Sequence, residues 1–242
     1  MRKLIKAALK KTGYTIVKDT QQAYDPGMFA CLTNLKKINI EVKSIIDVGA
    51  AAGEWSLLAE KVFPDASFLL LEPLEERKQQ LELLIKQHPN FQFLPFAAGE
   101  AQGSVEFNIT DDLDGSGIAE GVSNTKKTRV VNVTSIDHEI AGQGMQGPYL
   151  VKLDTHGYEV PILNGCVDNF KDVSAFIIEC YGFQIAKNSL LFWEMCEFMQ
   201  KKGFRLYEII DAYNRSKDNA FWQCDACFIS DRHPVFRSNT YY

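Results

Sequence analysis

The sequence has no long hydrophobic run and no excess of positive charge. No stretch approaches the ~20 apolar residues of a transmembrane helix, so no transmembrane segment is expected. The net charge of −5 at pH 7 disfavours a broad nucleic-acid surface, and no nucleic-acid partner is expected. What is present is a chain of 242 residues, 46% of them hydrophobic. This composition suits a single α/β domain with an ample core.

The six cysteines lack the spacing of a metal site or a disulfide framework. Cys224 and Cys227 form a lone C-x-x-C, without a second pair, inside the strand-like run Phe221–Ile229. Residues three apart on a strand point to opposite faces, so these two thiols are not expected to share a metal or a disulfide. Cysteines in apolar surroundings favour reduced thiols and a cytoplasmic location.

The N-terminal run Met1–Lys11 is basic and amphipathic. Its apolar part is too short for a signal-peptide core, and no small-residue cleavage site follows it. We therefore expect residues 1–43 to form a helical segment that packs on the core. Docking on a membrane surface or a partner is the alternative.

Strand patterns alternate with helix patterns through most of the chain. The predicted strands are Ser44–Val48, Ser67–Glu72, Phe91–Pro95, Tyr149–Leu153, Ala175–Glu179, Phe204–Ile209 and Phe221–Ser230. The predicted helices are Trp55–Val62, Leu74–Gln87 and Leu190–Lys202. Near-continuous apolar strands such as Phe68–Leu71 indicate a mostly parallel sheet with helices on both faces. The polar loop Asp211–Asn219 is too short to hold a helix, so the final strand should be antiparallel.

The middle of the chain has a different pattern. Gly103–Thr110 and Arg129–Thr134 alternate like exposed strands. Between them, Asp111–Lys127 is rich in glycine, serine, asparagine and charged residues. Long irregular segments in compact domains are usually functional or disordered. We interpret this segment as a loop over the site, with plain disorder as the alternative.

The run Ser44–Glu54 combines a buried strand, a glycine turn and the start of a helix. Gly49 and Gly53 frame the turn, where a ligand can approach bare backbone and free N–H groups. Ala51 stands where a dinucleotide fingerprint needs its middle glycine, which argues against a nicotinamide cofactor. Asp47 suits a cationic or hydroxyl-bearing ligand better than a phosphate. The run therefore favours S-adenosylmethionine (SAM).

Glu72 ends the second predicted strand, about 20 residues after the glycine turn. A carboxylate at this place can accept both ribose hydroxyls of an adenosine. It could instead cap the helix that follows Pro73 and complement the dipole of that helix. Its spacing and its strand-end position favour the ribose role.

Three further polar residues follow later strands. Asp154 ends a strand and could orient an acceptor or His156, or bind the amino group of the cofactor. His156 could take a proton at neutral pH, or it could be a surface residue that caps a helix. Glu179 could contact the acceptor or a neighbouring loop. Four acidic strand ends could also suggest a divalent metal, but no His/Asp cluster has ligand spacing, so no metal is predicted.

These motifs, taken together and in order, resemble the FkbM-type SAM-dependent methyltransferases. The similar segments are Ile45–Gly53, Leu71–Pro73, Ala97–Glu100, Gly103–Phe107, Val133–Asp137, Val151–Glu159 and Leu163–Gly165. The resemblance implies a Rossmann-like, seven-stranded class I methyltransferase fold over residues 44–242, with SAM as cofactor. It also implies methylation of a hydroxyl on a sugar, a glycan or a secondary metabolite.

We therefore assign site residues from the motifs and the resemblance. The expected cofactor-binding residues are Asp47, Gly49, Ala50, Gly53, Trp55, Glu72, Ala97, Ala98 and Asp154. The expected catalytic residues are Asp154, His156 and Glu179. Two departures from the family pattern stand out: His156 replaces a glutamate that is common in the family, and the third strand ends without an acidic residue.

Two other functions stay open at this point. The chain could bind SAM or a nucleotide without catalysis and serve as a scaffold, or it could be a nicotinamide-dependent reductase. The acceptor itself cannot be read from the sequence. Specificity should lie in Asp111–Lys127, Tyr181–Asn188 and Asp211–Asn219. The oligomeric state is also open, a homo-oligomer included.

Overall fold

Seven strands form a central sheet in the computed structural model, which describes residues 26–118 and 127–241. They are β1 (Ser44–Val48), β2 (Ser67–Leu71), β3 (Phe91–Leu94), β8 (Tyr149–Leu153), β9 (Val173–Tyr181), β10 (Phe204–Asn214) and β11 (Phe221–Ser230). Their order is β3-β2-β1-β8-β9-β11-β10. The neighbouring pairs from β3 to β9 are parallel, whereas β11 is antiparallel to both β9 and β10. The mostly parallel α/β sheet with one reversed strand is confirmed, and that strand lies inside the sheet.

A second, smaller sheet packs beside the first. Its strands are β4 (Ala97–Ala98), β5 (Gly103–Asn108), β6 (Gly117–Ile118) and β7 (Thr128–Thr134), in the order β4-β7-β5-β6. The alternating pattern predicted strands over most of β5 and β7. It did not predict that they would form a sheet of their own, because period-two alternation identifies a strand but not its partner.

Among the described residues, six α-helices cover the central sheet. They are α1 (Pro26–Lys37), α2 (Glu54–Val62), α3 (Glu75–Gln87), α4 (Ile136–Gln143), α5 (Glu159–Asn164) and α6 (Phe192–Lys201). Adjacent residues of β1 show how both faces are buried. Ile45 packs in one core cluster with Leu32 of α1, and Ile46 packs in the other with Met199 of α6. Both isoleucines are fully buried, as a strand covered by helices on both faces requires.

The structure changes several predicted boundaries. The strand β10 continues to Asn214, so the expected loop Asp211–Asn219 begins as strand. The short helix α4 was not predicted, whereas α5 begins two residues after Gly157, where a helix was expected without stated bounds. The predicted N-terminal segment 1–43 is described only in part: α1 packs on α2 and β10, and residues 1–25 lie outside the described residues. The division at residues 43 and 44 stays a prediction.

One feature of this fold positions a site. Parallel strands bring the carboxyl ends of β1, β2, β8 and β9 to one edge of the sheet, where ligands bind in open α/β folds. Within the part of the chain that the structure describes, no helix is both long and apolar enough to span a membrane.

Candidate active site

The turn after β1 brings backbone close to the end of β8. Gly49 has a φ of +75°, and a Cβ at this position would overlap the backbone oxygen of Asp154. Only glycine accommodates this close approach. The amides of Gly49 and Ala50 donate to the carbonyl of Leu71 at 3.0 and 3.1 Å. The turn is thereby fixed against the strands on both sides of β1.

Glu72 is held at the end of β2 by two backbone amides. Its Oε2 accepts the N–H of Ala51, and its Oε1 accepts the N–H of Leu74, both at 2.9 Å. Burial raises the pKa of Glu72 to about 7, although both amides favour the charged form. Ala51 has a φ of +46°, the left-handed conformation that normally favours glycine. The turn and the carboxylate therefore form one unit.

A cavity of about 750 Å³ opens at this edge of the sheet. This volume lies within the roughly 300–1,000 Å³ of small-molecule sites. Among the predicted site residues, its walls include Gly49, Glu72, Ala97, Ala98, Asp154, His156 and Glu179. The structure thus brings together residues that are more than a hundred positions apart in the chain.

Asp47 does not line this cavity. It is fully buried within β1, where the Ser56 hydroxyl donates to its Oδ2 at 2.6 Å. Its Oδ1 lies 3.7 Å from Nζ of Lys152, and burial raises its pKa. Asp47 therefore lies behind the glycine turn, and its direct contact with a cofactor stays a prediction.

Three other predicted cofactor residues also lie outside the cavity wall. Ala50 is buried in the core, and a Cβ on Gly53 would overlap the side chain of Leu84 in α3. Trp55 lines a second cavity of about 1,060 Å³, with its ring 5.7 Å from Nζ of Lys152. Ala50 and Gly53 are explained by packing, and a cofactor role for any of the three stays a prediction.

Lys152 lines the second cavity and forms an ion pair with Asp154, which lines both cavities. Its Nζ lies 3.0 Å from Oδ2 of Asp154, and its side chain is 7% exposed. Burial alone would lower the pKa of Lys152, but the charges of Asp154 and Asp47 raise it. Burial alone would raise the pKa of Asp154, but Lys152 lowers it below its usual range. Both groups are therefore ionised at neutral pH.

His156 lies at the centre of a polar cluster, in a left-handed backbone conformation with a φ of +55°. Its Nδ1 lies 3.0 Å from Oε2 of Glu179 and 3.0 Å from the Tyr181 hydroxyl. Its Nε2 lies 2.6 Å from the backbone oxygen of Asp114. Burial alone would lower the pKa of His156, but the hydrogen bond and the charge of Glu179 raise it to about 9. The imidazole is therefore mostly protonated at neutral pH in the ligand-free protein.

Glu179 is held from two sides at the carboxyl end of β9. Its Oε1 accepts a hydrogen bond from Nε2 of Gln223, and its Oε2 accepts one from the Tyr181 hydroxyl, both at 2.6 Å. The carboxylate is buried but lines the cavity. Its orientation is therefore fixed before any ligand binds.

The described part of the predicted site loop lies against this cluster. Residues 113–118 line the cavity. Asp114 forms an ion pair with Arg77 of α3, and its carbonyl accepts from His156. Residues 119–126 of the loop lie outside the described residues. The part that is described occupies the position over the site that its composition indicated.

Several polar groups of the site were not predicted from the sequence. Arg77 and Gln223 join the site through tertiary contacts that no local pattern reveals. Asp114 lies in the loop that was predicted over the site, but its contact with His156 was not predicted. Lys152 did carry a signal, because a charged residue interrupts the apolar strand Tyr149–Leu153. A buried charge of this kind needs a partner, and Asp154 and Asp47 provide it.

The sequence from residue 47 to residue 206 matches the methyltransferase FkbM domain, which is more than half of the chain. The chain belongs to the FkbM methyltransferase family. As a member of this family it is a methyltransferase with SAM as its cofactor. The resemblance carried by the sequence motifs is thus confirmed. None of the curated proteins matches the sequence.

Solved structures with a similar arrangement share little sequence with this FkbM methyltransferase. One is EvdMO1, at 11% identity and a TM-score of 0.44, covering 95% of this chain and 47% of that one. The N-terminal domain of EvdMO1, crystallised with S-adenosylhomocysteine and D-fucose, matches at 12% identity and a TM-score of 0.47. This match covers 95% of this chain and 96% of that domain. The third is the 1,6-didemethyltoxoflavin-N1-methyltransferase of Burkholderia thailandensis, at 10% identity and a TM-score of 0.49. This match covers 93% of this chain and 85% of that one. This chain thus spans about half of full-length EvdMO1.

The residues of the cavity fit SAM. The glycine turn leaves backbone exposed to a ligand at Gly49, where a Cβ has no room. Glu72 faces the cavity with a carboxylate that can accept ribose hydroxyls. Ala97 and Ala98, both buried, add small apolar surface to the same wall. These features suit the adenosine group of SAM.

Proposed function

We propose that this FkbM methyltransferase is an O-methyltransferase whose acceptor is a hydroxyl group on a sugar, a glycan or another small secondary metabolite. The observation that carries the proposal is that Asp154, His156 and Glu179 lie in the same cavity as Gly49 and Glu72. We refer to Gly49, Ala51 and Glu72 as the cofactor end of the cavity. We refer to Asp154, His156 and Glu179 as its acceptor end.

The acceptor end is suited to a hydroxyl group. A hydroxyl is a hydrogen-bond donor that must lose its proton during methyl transfer, and the two carboxylates are acceptors. His156 stays our candidate for the base, acting through Nδ1 in the fraction of molecules whose imidazole is neutral. Glu179 lies beside that nitrogen, and Asp154 orients the acceptor. When SAM is bound, its sulfonium supplies an electrophilic methyl group. The chain's own contribution is then placement of the hydroxyl and exclusion of water.

The other wall of the cavity supports a small polyhydroxyl acceptor. Tyr213, Trp222 and Gln223 line it together with Tyr181. The ring of Trp222 packs edge-on against Tyr181, with centroids 6.0 Å apart. Aromatic rings with polar edges beside carboxylates offer an apolar platform and hydrogen-bond partners to one ligand.

We also propose a cytoplasmic location. All six cysteines are free thiols, although Cys31 and Cys227 interact. Free cysteines are typical of reducing compartments. The location and the absence of a nucleic-acid partner rest on composition and charge.

The test is methyl transfer from SAM labelled in its methyl group to sugars, nucleotide sugars and a metabolite extract. We expect label in a product whose mass increases by one methylene and whose methyl group resists mild alkali, as an ether does. Glu72→Gln, which should bind SAM poorly, is the matched control for background transfer. SAM binding without transfer would favour a scaffold, and label on nitrogen or carbon would refute O-methylation.

A further inference from the structure

Each carboxylate of the acceptor end has one oxygen held by a side chain away from His156 and a second oxygen that faces His156. The Tyr181 hydroxyl also donates to the second oxygen of Glu179 at 2.6 Å. Asp154 directs Oδ2 to Nζ of Lys152 at 3.0 Å, while its Oδ1 lies 3.9 Å from Nδ1 of His156. Glu179 directs Oε1 to Gln223 at 2.6 Å, while its Oε2 lies 3.0 Å from the same Nδ1. Two carboxylate oxygens and one ring nitrogen therefore converge on a common point.

The orientation of the imidazole requires a positive charge at this point. Nε2 of His156 lies 2.6 Å from the backbone oxygen of Asp114, which can only accept, so Nε2 carries a hydrogen. In a neutral ring the lone pair is then on Nδ1, and it faces two carboxylate oxygens. Three electron pairs that converge repel one another unless a proton or a metal ion lies between them. A histidine that donates its other N–H to a backbone carbonyl is the usual arrangement of a metal-binding histidine.

The spacing of the three atoms suits one ion. They all lie within 4.8 Å of one another, and the two distances to Nδ1 are 3.0 and 3.9 Å. Neighbouring ligands of an ion bound at about 2.1 Å are separated by roughly 3.0–3.4 Å. A shift of about 1 Å by the Asp154 carboxylate would bring its Oδ1 to this distance from Nδ1. The Asp154 side chain lines the cavity and is 34% exposed, so it has room to move.

The charges also balance for a divalent ion. When the His156 ring is neutral, Asp47, Asp154 and Glu179 are three carboxylates near one ammonium, that of Lys152. This leaves a formal excess of two negative charges, of which a proton on His156 compensates only one. Buried charges need compensation, and a divalent cation would provide it.

We propose that Asp154 Oδ1, His156 Nδ1 and Glu179 Oε2 bind one divalent cation of the Mn²⁺ type. Mixed carboxylate and imidazole ligands suit this class of ion, because carboxylates favour Mg²⁺ and Mn²⁺, whereas imidazole favours transition metals. The site opens into the cavity, so its remaining positions are available to water and to the acceptor. The inference deepens the proposed function, on which its purpose rests, and changes one part of it. With Nδ1 bound to the cation and Nε2 donating to Asp114, His156 would not be the base; the cation would hold the acceptor hydroxyl and favour loss of its proton to water.

The experiment is a Mn²⁺ titration of the full chain after removal of bound metal with a chelator. Free Mn²⁺ gives a sharp electron paramagnetic resonance signal in water that is lost on binding, so no substrate is needed. We expect one Mn²⁺ per chain, bound at least about tenfold more weakly by Glu179→Gln and by His156→Asn. Asparagine is chosen at position 156 because it tolerates the left-handed backbone there. Glu179→Gln keeps the side-chain size and decides the question alone if His156→Asn does not fold.

The matched controls are Glu106→Gln and His138→Asn, which change exposed residues of the same types. They should bind Mn²⁺ like the unchanged protein. No stoichiometric binding, or equal binding by the site variants, would overturn the inference and leave a proton at the convergence point. SAM binding is measured on the same metal-free samples. Methyl transfer without Mn²⁺ binding refutes the cation alone, and Mn²⁺ binding without transfer to any hydroxyl refutes the proposed function alone.

Discussion

At the cofactor end the backbone shapes the cavity, whereas at the acceptor end side chains do. Gly49 is required because a Cβ would overlap the backbone of Asp154, and Glu72 is held by two amides. His156 and Glu179, by contrast, are held by Tyr181 and by each other. The cofactor end should therefore be sensitive to backbone changes, and the acceptor end to changes of charge and hydrogen bonding.

The difference also concerns electrostatics. The cofactor end presents one carboxylate, whose pKa is raised to about 7 by burial. The acceptor end presents two carboxylates around an imidazole, with Lys152 beside Asp154. Binding of the same cofactor in every reaction cycle requires a site of fixed shape. Methyl transfer to a hydroxyl requires groups whose charge changes when a proton is lost or gained. If this division is correct, variants of one end should leave the function of the other end intact.

The largest expected effect is at the acceptor end. Glu179→Gln removes the negative charge behind Nδ1 of His156 while it keeps the shape of the side chain. Proton-transfer groups typically contribute 10²–10⁴-fold to a rate, so we expect methyl transfer to fall by about 10²–10⁴-fold. The SAM affinity should change by less than about twofold. Single-turnover transfer measures the first quantity, and calorimetry with SAM measures the second.

The control for that variant is Glu106→Gln, an exposed glutamate on β5, which should transfer methyl groups normally. A Glu179→Gln protein that loses SAM affinity as strongly as it loses transfer would contradict the division of the cavity. The two ends would then form a single binding surface.

The second effect concerns the backbone of the cofactor end. Gly49→Ala introduces a Cβ at a φ of +75° and into the backbone oxygen of Asp154. The conformational cost and the overlap together should lower the free energy of unfolding by about 2–4 kcal/mol. Chemical denaturation measures this. Gly142→Ala in α4, where a Cβ has no neighbour within 4 Å, should be neutral or stabilising. Equal destabilisation by both changes would refute the steric argument.

The same contrast explains what could be predicted from the sequence. The glycine turn and Glu72 are local features: the turn lies between one strand and the next helix, and Glu72 lies about 20 residues on. Their spacing is set by one βαβ unit, so periodicity and a motif were sufficient. The sequence predicted one feature of the strand arrangement, namely that the last strand is antiparallel. It did not predict that β11 lies between β9 and β10, because hydrophobic patterns do not specify which strands are neighbours.

The acceptor end was predicted only in its main residues. Asp154, His156 and Glu179 follow strands, so their convergence on one edge could be expected. Their partners could not be predicted, because Gln223 is 44 residues beyond Glu179 and Asp114 is 42 residues before His156. These contacts depend on tertiary packing. The smaller sheet was missed for the same reason.

The third effect tests the role of Glu72. Glu72→Gln keeps the shape but removes the charge that would accept ribose hydroxyls. Hydrogen bonds to charged groups contribute about 1.5–3 kcal/mol, so SAM affinity should fall by about 10- to 100-fold. Calorimetry measures it, and Glu82→Gln, an exposed glutamate on α3, is the control. Unchanged affinity would mean that Glu72 only organises the turn through Ala51 and Leu74.

A weaker effect concerns pH. Because the pKa of Glu72 is about 7 in the ligand-free protein, raising the pH through this value ionises the carboxyl group. Ribose hydroxyls favour the ionised form, so binding lowers this pKa and affinity rises with pH. The rise between about pH 6 and about pH 8 should be up to about tenfold for a pKa change of one unit. SAM affinity measured by calorimetry across this pH range should show no such rise in Glu72→Gln. If the affinity of Glu72→Gln rises with pH as steeply as that of the unchanged protein, a group other than Glu72 causes the rise.

The smallest effect is at Ala51, which has a φ of +46°. Its backbone N–H donates a hydrogen bond to Oε2 of Glu72, which holds this conformation. A left-handed conformation costs an L-residue about 1–2 kcal/mol. Glycine removes that cost but loses about 0.5–1 kcal/mol of backbone entropy on folding. Ala51→Gly should therefore raise the free energy of unfolding by about 0.5 kcal/mol. Ala52→Gly, next to it and without a positive φ, has the entropic cost without relief of strain. It also loses a buried methyl group, so it should destabilise. If both changes destabilise equally, the turn is not strained, and its shape comes from Glu72 rather than from the alanine backbone.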